Sequence, residues 1–71
     1  ERVAAAVAAL PADQRRVLVM RDVQGLPGRI VASRLGLSTA AMKSRLHRAR
    51  TAVREALREE PVRAEGEGDG T

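Results

Sequence analysis

Within the eight positions from Lys43 to Arg50 the chain places Lys43, Arg45, Arg48 and Arg50, interleaved with Ser44 and His47. Ammonium and guanidinium groups neutralise phosphates and donate hydrogen bonds to base acceptors; they do not by themselves make or break bonds. No acidic residue occurs between Leu35 and Arg54. An ordinary solvated helix mixes Glu among its Arg and Lys, so this density of positive charge implies a polyanionic partner. His47 is the only histidine and there is no cysteine, which leaves no second imidazole or thiolate to share a metal. Ser38 and Ser44 have no base and orienting partner in the sequence, so neither reads as a nucleophile. No cofactor, no metal and no enzyme activity are expected.

These cations need a helix to carry them. Met42, Leu46, Ala49, Val53 and Leu57 fall at spacings of four, three, four and four, which makes one apolar stripe. With Met42 at the centre of that stripe, Ser44, His47, Arg48 and Thr51 point away from the core. Lys43 and Arg50 lie on one flank and Arg45 on the other. Ser38 is a good N-cap, and Pro61 forbids continuation beyond about Glu60. Thr39, Ala40 and Ala41 form the first turn, where small side chains let the helix end approach base edges and free N–H groups attract phosphate. Lys43 and Arg48 are the candidate base contacts. Arg34, Arg45 and Arg50 are candidate phosphate contacts, which set register rather than sequence.

Three shorter helices precede it. Val3, Val7 and Leu10 share a helical face in an Ala-rich segment from Arg2 to Leu10. Pro11 opens a second helix, with Asp13 at its positive end, that continues through Val17, Leu18, Met20 and Arg21 towards Val23 and closes at Gly25. Leu26-Pro27-Gly28 signals a turn. Ile30, Val31, Ala32 and Leu35 then give a short third helix stopped by Gly36. Ala32 suits a close helix crossing, Gly36 the turn, and Leu37 the edge of the core. The expected fold is all-α: a small four-helix domain over residues 1–60 containing a helix-turn-helix whose second helix is long and basic, the outline of a DNA recognition helix.

Composition narrows the setting. Seventy-one residues allow one small domain with a thin core. Aromatic residues are absent, so Leu, Val, Ile, Met and Ala must build that core. Residues 34–58 hold seven basic and one acidic side chain, net +6, whereas residues 59–71 hold one basic and five acidic, net −4. The Gly- and Glu-rich segment 61–71 is expected to be disordered, and the charge of Glu59, Glu60, Glu65, Glu67 and Asp69 is expected to compete with DNA for the basic helix. The run Val3 to Leu10 is too short to span a bilayer and lacks a secretory leader pattern. A soluble, cytoplasmic chain that does not bind membrane is expected, and its start at Glu1 suggests a piece of a longer protein. A basic helix lying on acidic lipid is disfavoured because the apolar stripe lacks aromatic anchors.

Taken together, four runs carry a family resemblance. Ala9-Leu10-Pro11-Ala12-Asp13-Gln14-Arg15-Arg16-Val17-Leu18, Arg21-Asp22-Val23-Gln24-Gly25-Leu26, Ala32-Ser33-Arg34-Leu35-Gly36-Leu37-Ser38 and Met42-Lys43-Ser44-Arg45-Leu46-His47-Arg48-Ala49-Arg50 resemble region 4 of bacterial sigma factors of the extracytoplasmic-function type. The resemblance spans roughly residues 3–58, and Lys43 to Arg50 is its most specific piece. It implies a domain that binds the −35 promoter element with its recognition helix in the major groove, docks on the β-subunit flap of RNA polymerase core, and is sequestered by an anti-sigma factor. By position, Lys43, Ser44, Arg45, His47 and Arg48 match the DNA-reading segment of that family and Thr39 to Ala41 its leading turn.

The third helix departs from the family pattern. Where a Ser or Thr cap, an aromatic and two acidic residues are usual, this chain has Pro27, Gly28, Arg29 and Ile30. A missing cap costs about 0.5–2 kcal/mol, so this helix is expected to start late or fray, and Arg29 becomes a further candidate for phosphate. The alternative function is a protein-interaction module that binds the polymerase flap or an anti-sigma factor and has weak DNA affinity.

Overall fold

The computed structural model of the chain describes residues 1–58. Four α-helices follow one another: α1 Arg2–Ala8, α2 Ala12–Leu18, α3 Gly28–Leu35 and α4 Thr39–Arg58. Among the described residues there is no strand. The expected extension of α4 to Glu60 and the expected disorder of 61–71 lie outside the described residues.

α1, α2 and α3 all pack against α4, which forms the spine of the domain. The core unites Leu10, Val17, Leu18, Val31, Ala32, Met42, Leu46 and Ala49, with Val7, Met20, Leu26, Leu35, Leu37 and Val53 packed around it. Met42, Leu46 and Ala49 are buried, while Val53 and Leu57 at the trailing end are half-buried. The stripe read from the sequence is thus the face that seats α4. Burying a Val or Leu side chain contributes about 1.5–3 kcal/mol, so this seam fixes the rotation of α4 about its own axis and with it the outward set.

The helix ends are closed by local chemistry. The Glu1 carboxylate accepts the Ala4 N–H at 2.8 Å and caps α1. At the other end of α1, Arg15 Nη1 donates to the Ala8 carbonyl at 3.1 Å and lies 3.4 Å from that of Leu10. A cation at a helix C-terminus complements the dipole there, so Arg15 ties α2 back to α1.

α2 does not run on as a regular α-helix to Val23. Residues Val19–Val23 form a π-helical segment, with Gln24 N–H donating to the Val19 carbonyl at 2.9 Å and Leu26 N–H to Met20 at 3.0 Å. Gly25, at a φ of 74°, supplies the left-handed turn that ends it. The third helix also differs from expectation. It starts at Gly28, directly after Pro27, with no side-chain cap and no acidic residue in its first turn. The extended Pro27 carbonyl accepts from Ile30 at 3.0 Å and Val31 at 3.1 Å, and the buried Val31 and Ala32 hold the helix on the core. Packing thus supplies what the missing cap does not.

Candidate nucleic-acid interface

The turn between α3 and α4 is held at both ends. Gly36 has a φ of 68°, and Leu37 N–H donates to the Ala32 carbonyl at 2.8 Å while Gly36 N–H donates to Ser33 at 3.2 Å. This paired closure satisfies the terminal carbonyls of α3. Ser38 then caps α4: its Oγ accepts the Ala41 N–H at 3.0 Å, and its carbonyl accepts Met42 N–H at 2.9 Å. Buried Ala32 and half-buried Leu37 occupy the crossing and the edge of the core. The result is a helix-turn-helix in which α4 is the second, cationic helix.

The leading half of α4 presents Thr39, Ala40, Lys43, Ser44, His47 and Arg48 as exposed residues, with Ser38 exposed before them and Arg34 exposed at the end of α3. None of Arg34, Lys43 and Arg48 has an acidic partner among the described residues. Ala41 is half-buried. This face can donate hydrogen bonds and neutralise phosphates without first breaking an intramolecular pair.

Arg45 and Arg50 are arranged differently. Arg50 Nε donates to Asp22 Oδ2 at 2.8 Å and its Nη2 donates to Asp22 Oδ1. Arg45 Nη1 stands 3.5 Å from Asp13 Oδ2. Asp13 is in the first turn of α2 and Asp22 in the π segment that extends it, so α2 grips α4 on its two flanks. The hydrogen bonds from Arg50 hold the Asp22 carboxyl below its ordinary pKa. Partial burial opposes that effect, and the charges of Arg50 and Arg21 add to it. The same bonds raise the Arg50 guanidinium further. Both arginines remain partly exposed, with side chains 37% accessible for Arg45 and 47% for Arg50. Sequence alone offers no signal for either pairing, since 28 residues separate Asp22 from Arg50.

Two grooves flank this face. One, of about 620 Å³, lies between the π segment, the start of α3 and the leading half of α4, and Arg21, Arg29, Lys43, His47 and Arg50 line it. Arg21 was not singled out from the sequence; its place beside α4 depends on the wide turn that contains it. The other groove, of about 360 Å³, is bordered by Val3, Val7, Val23, Val53 and Leu57, and Val23 is 72% exposed. Among the described residues no helix is long and apolar enough to cross a membrane.

A family model described as "Sigma-70, region 4" matches residues 1–53. The chain is similar to the "Probable RNA polymerase sigma factor RfaY" of Xanthomonas campestris pv. campestris, with 47% identity over 51 residues. That match covers 72% of this chain and 13% of the relative, so the chain spans a small part of that protein's length. No solved structure gives a significant match. A helix-turn-helix with a cationic second helix, matched over most of its length by this one model, belongs to the sigma-70 region 4 family.

Proposed function

We propose that the chain binds double-stranded promoter DNA, reading the −35 element in the major groove with the outward face of α4. It does so as part of a sigma factor, of the extracytoplasmic-function type, that directs RNA polymerase to promoters. One observation carries this reading: Lys43, Ser44, His47 and Arg48 are exposed on a helix whose opposite stripe is buried, with no carboxylate on that helix before Glu55. Lys43 and Arg48 reach base edges, Ser44 and His47 add polar contacts, and Thr39 and Ala40 allow close approach of the helix end. Arg34 contacts phosphate. Arg45 and Arg50 contribute positive field from either flank while clasped to Asp13 of α2 and Asp22 of the π segment.

RNA polymerase core, through its β-subunit flap, and an anti-sigma factor are the protein partners of this reading. The valine-lined groove along α1, the π segment and the trailing half of α4 favours a second reading, in which protein docking is the main task and DNA affinity is weak. Salt dependence separates the two. A DNA-binding domain loses log K by about 0.9 per phosphate contact per tenfold rise in salt, whereas a docking module with little DNA contact gives a nearly flat line.

The test starts from duplexes enriched by the chain from a random-sequence pool. Arg48→Ala should lower affinity for the enriched duplex by about 1–3 kcal/mol, the worth of one good base contact, and lower affinity for scrambled duplex much less. Equal losses on both duplexes would refute the base-reading role.

A further inference from the structure

We propose that the acidic segment of this chain, from Glu59 to Asp69, folds back along α4 and docks on a row of cations there, so that duplex DNA must displace it. The docking stands on charge and reach. Its effect on DNA rests on the reading of α4 as a duplex-binding surface.

The row is written into the spacing of α4. Lys43, His47, Arg54 and Arg58 follow one another at intervals of four, seven and four, which keeps them on one side of a helix. All four are exposed. Lys43 and His47 border one groove and Arg54 the other. Among the described residues no carboxylate pairs with Lys43, Arg54 or Arg58. Asp22 is already engaged by Arg50 through both oxygens. Glu55 is the one acid on α4, and it is turned about 100° from Arg54. The row is therefore an unneutralised line of charge, and the segment 59–71 that follows it carries a net charge of −4. The family match ends at residue 53, so this acidic run lies beyond the part of the chain that the family accounts for.

The segment is long enough to return. From Arg58 back to Lys43 the helix rises about 22 Å. From Arg58 on to Asp69 the extended chain spans up to about 36–40 Å, which leaves about 14 Å for the reversal. The charges also match in pitch. Glu65, Glu67 and Asp69 alternate with Gly66, Gly68 and Gly70. In extended backbone alternate residues face the same side about 7 Å apart, and residues four apart on a helix are separated by about 6 Å along its axis. Three carboxylates can thus meet successive cations, and the glycines between them leave the backbone free to follow the helix surface.

Each exposed ion pair contributes little by itself. The tether changes the outcome, because a short flexible linker holds the carboxylates near the row at about millimolar effective concentration. Duplex affinity scales with the fraction of chains whose row is open, so a row closed about four-fifths of the time weakens DNA binding about fivefold.

The experiment uses the whole 71-residue chain. It has no cysteine, so Thr71→Cys carries a single nitroxide whose broadening of amide resonances reports where the segment goes. Docking requires the strongest broadening at low salt in the leading half of α4, around Lys43 and His47. A free segment would instead give broadening that is strongest at Arg58 and decays from there. At about 1 M salt, where the screening length falls to about 3 Å, the first pattern should give way to the second. The neutralised variant Glu65→Gln, Glu67→Gln, Asp69→Asn should show the second pattern at any salt. Decay from Arg58 in the charged chain at low salt overturns the docking, and so does a leading-half pattern that survives neutralisation. If the neutralised variant misfolds, the salt series on the charged chain decides. A duplex enriched by the unaltered chain from a random pool should abolish the leading-half broadening. The neutralised variant should bind that duplex about fivefold tighter at low salt, with the gain shrinking as salt rises. A bound duplex that leaves the broadening intact, or an affinity unchanged by neutralisation, contradicts the displacement. If no duplex is enriched at all, the α4 reading fails, and the broadening alone then decides the docking.

Discussion

Replacing Asp22 by Asn should make the domain less stable and a stronger DNA binder at once. The side chains of Asp22 and Arg50 are 32% and 47% accessible, which places the pair in the exposed class worth about 0.2–1 kcal/mol. Its two-bond geometry puts it at the upper end of that class, so a loss of about 1 kcal/mol is expected. In a domain of this size that lowers the melting temperature by about 4–8 °C. The same change removes a carboxylate that now competes with phosphate for Arg50. The freed guanidinium should then neutralise one phosphate more and steepen the dependence of log K on log salt by about 0.9.

The pH dependence has a definite sign. The folded-state pKa of Asp22 is lowered, chiefly by its hydrogen bonds from Arg50. The pair therefore stabilises the fold above the unfolded carboxylate value of about 3.9. Its contribution is lost as pH falls through the lower, folded value. The unaltered chain and Asp22→Asn should differ in melting temperature at pH 7 and converge in strong acid. Thermal melts followed by circular dichroism, with anisotropy titrations at several salt concentrations, measure both halves. An Asp22→Asn protein with unchanged melting temperature at pH 7 and an unchanged salt slope would refute the clasp.

Two positions in the turn carry further expectations. Gly36→Ala forces a Cβ into the left-handed region at a φ of 68° and should cost about 1–2 kcal/mol, read as a lower denaturant midpoint. Ser38→Ala removes the hydroxyl that caps α4 and should cost about 0.5–2 kcal/mol, with the amide of Ala41 losing hydrogen-exchange protection ahead of the α4 centre.

What could be read from the sequence was what depends on neighbours along the chain. The spacing of Met42, Leu46 and Ala49 marked the buried side of α4, because helical periodicity alone selects it. Gly36 and Ser38 marked the turn, because each acts on backbone groups within four residues. The family resemblance rested on these same local signals. What could not be read depends on how the helices pack. The acidic partners of Arg45 and Arg50 lie on α2 and on the π segment that follows it, and no local pattern joins residues 22 and 50. The π segment breaks a hydrophobic period that looks regular from Val17 to Val23. The early start of α3 follows from burial of Val31 and Ala32, which offsets a cap that the sequence lacks. For the candidate interface, the outward placing of Ser44, His47 and Arg48 was legible, whereas Thr51, which the same periodicity turns outward, is half-buried and the flank residue Lys43 is exposed; the division of α4 into free and clasped cations was not legible.

The central claim is that duplex DNA meets the leading half of α4 on its outward side. Titrating the isotopically labelled 71-residue chain with an enriched duplex, and following its amide resonances, tests this most directly. The largest shifts should run from Ser38 through Arg48. Shifts confined to Val3, Val7, Val23, Val53 and Leu57 would place the duplex on the apolar groove and contradict it.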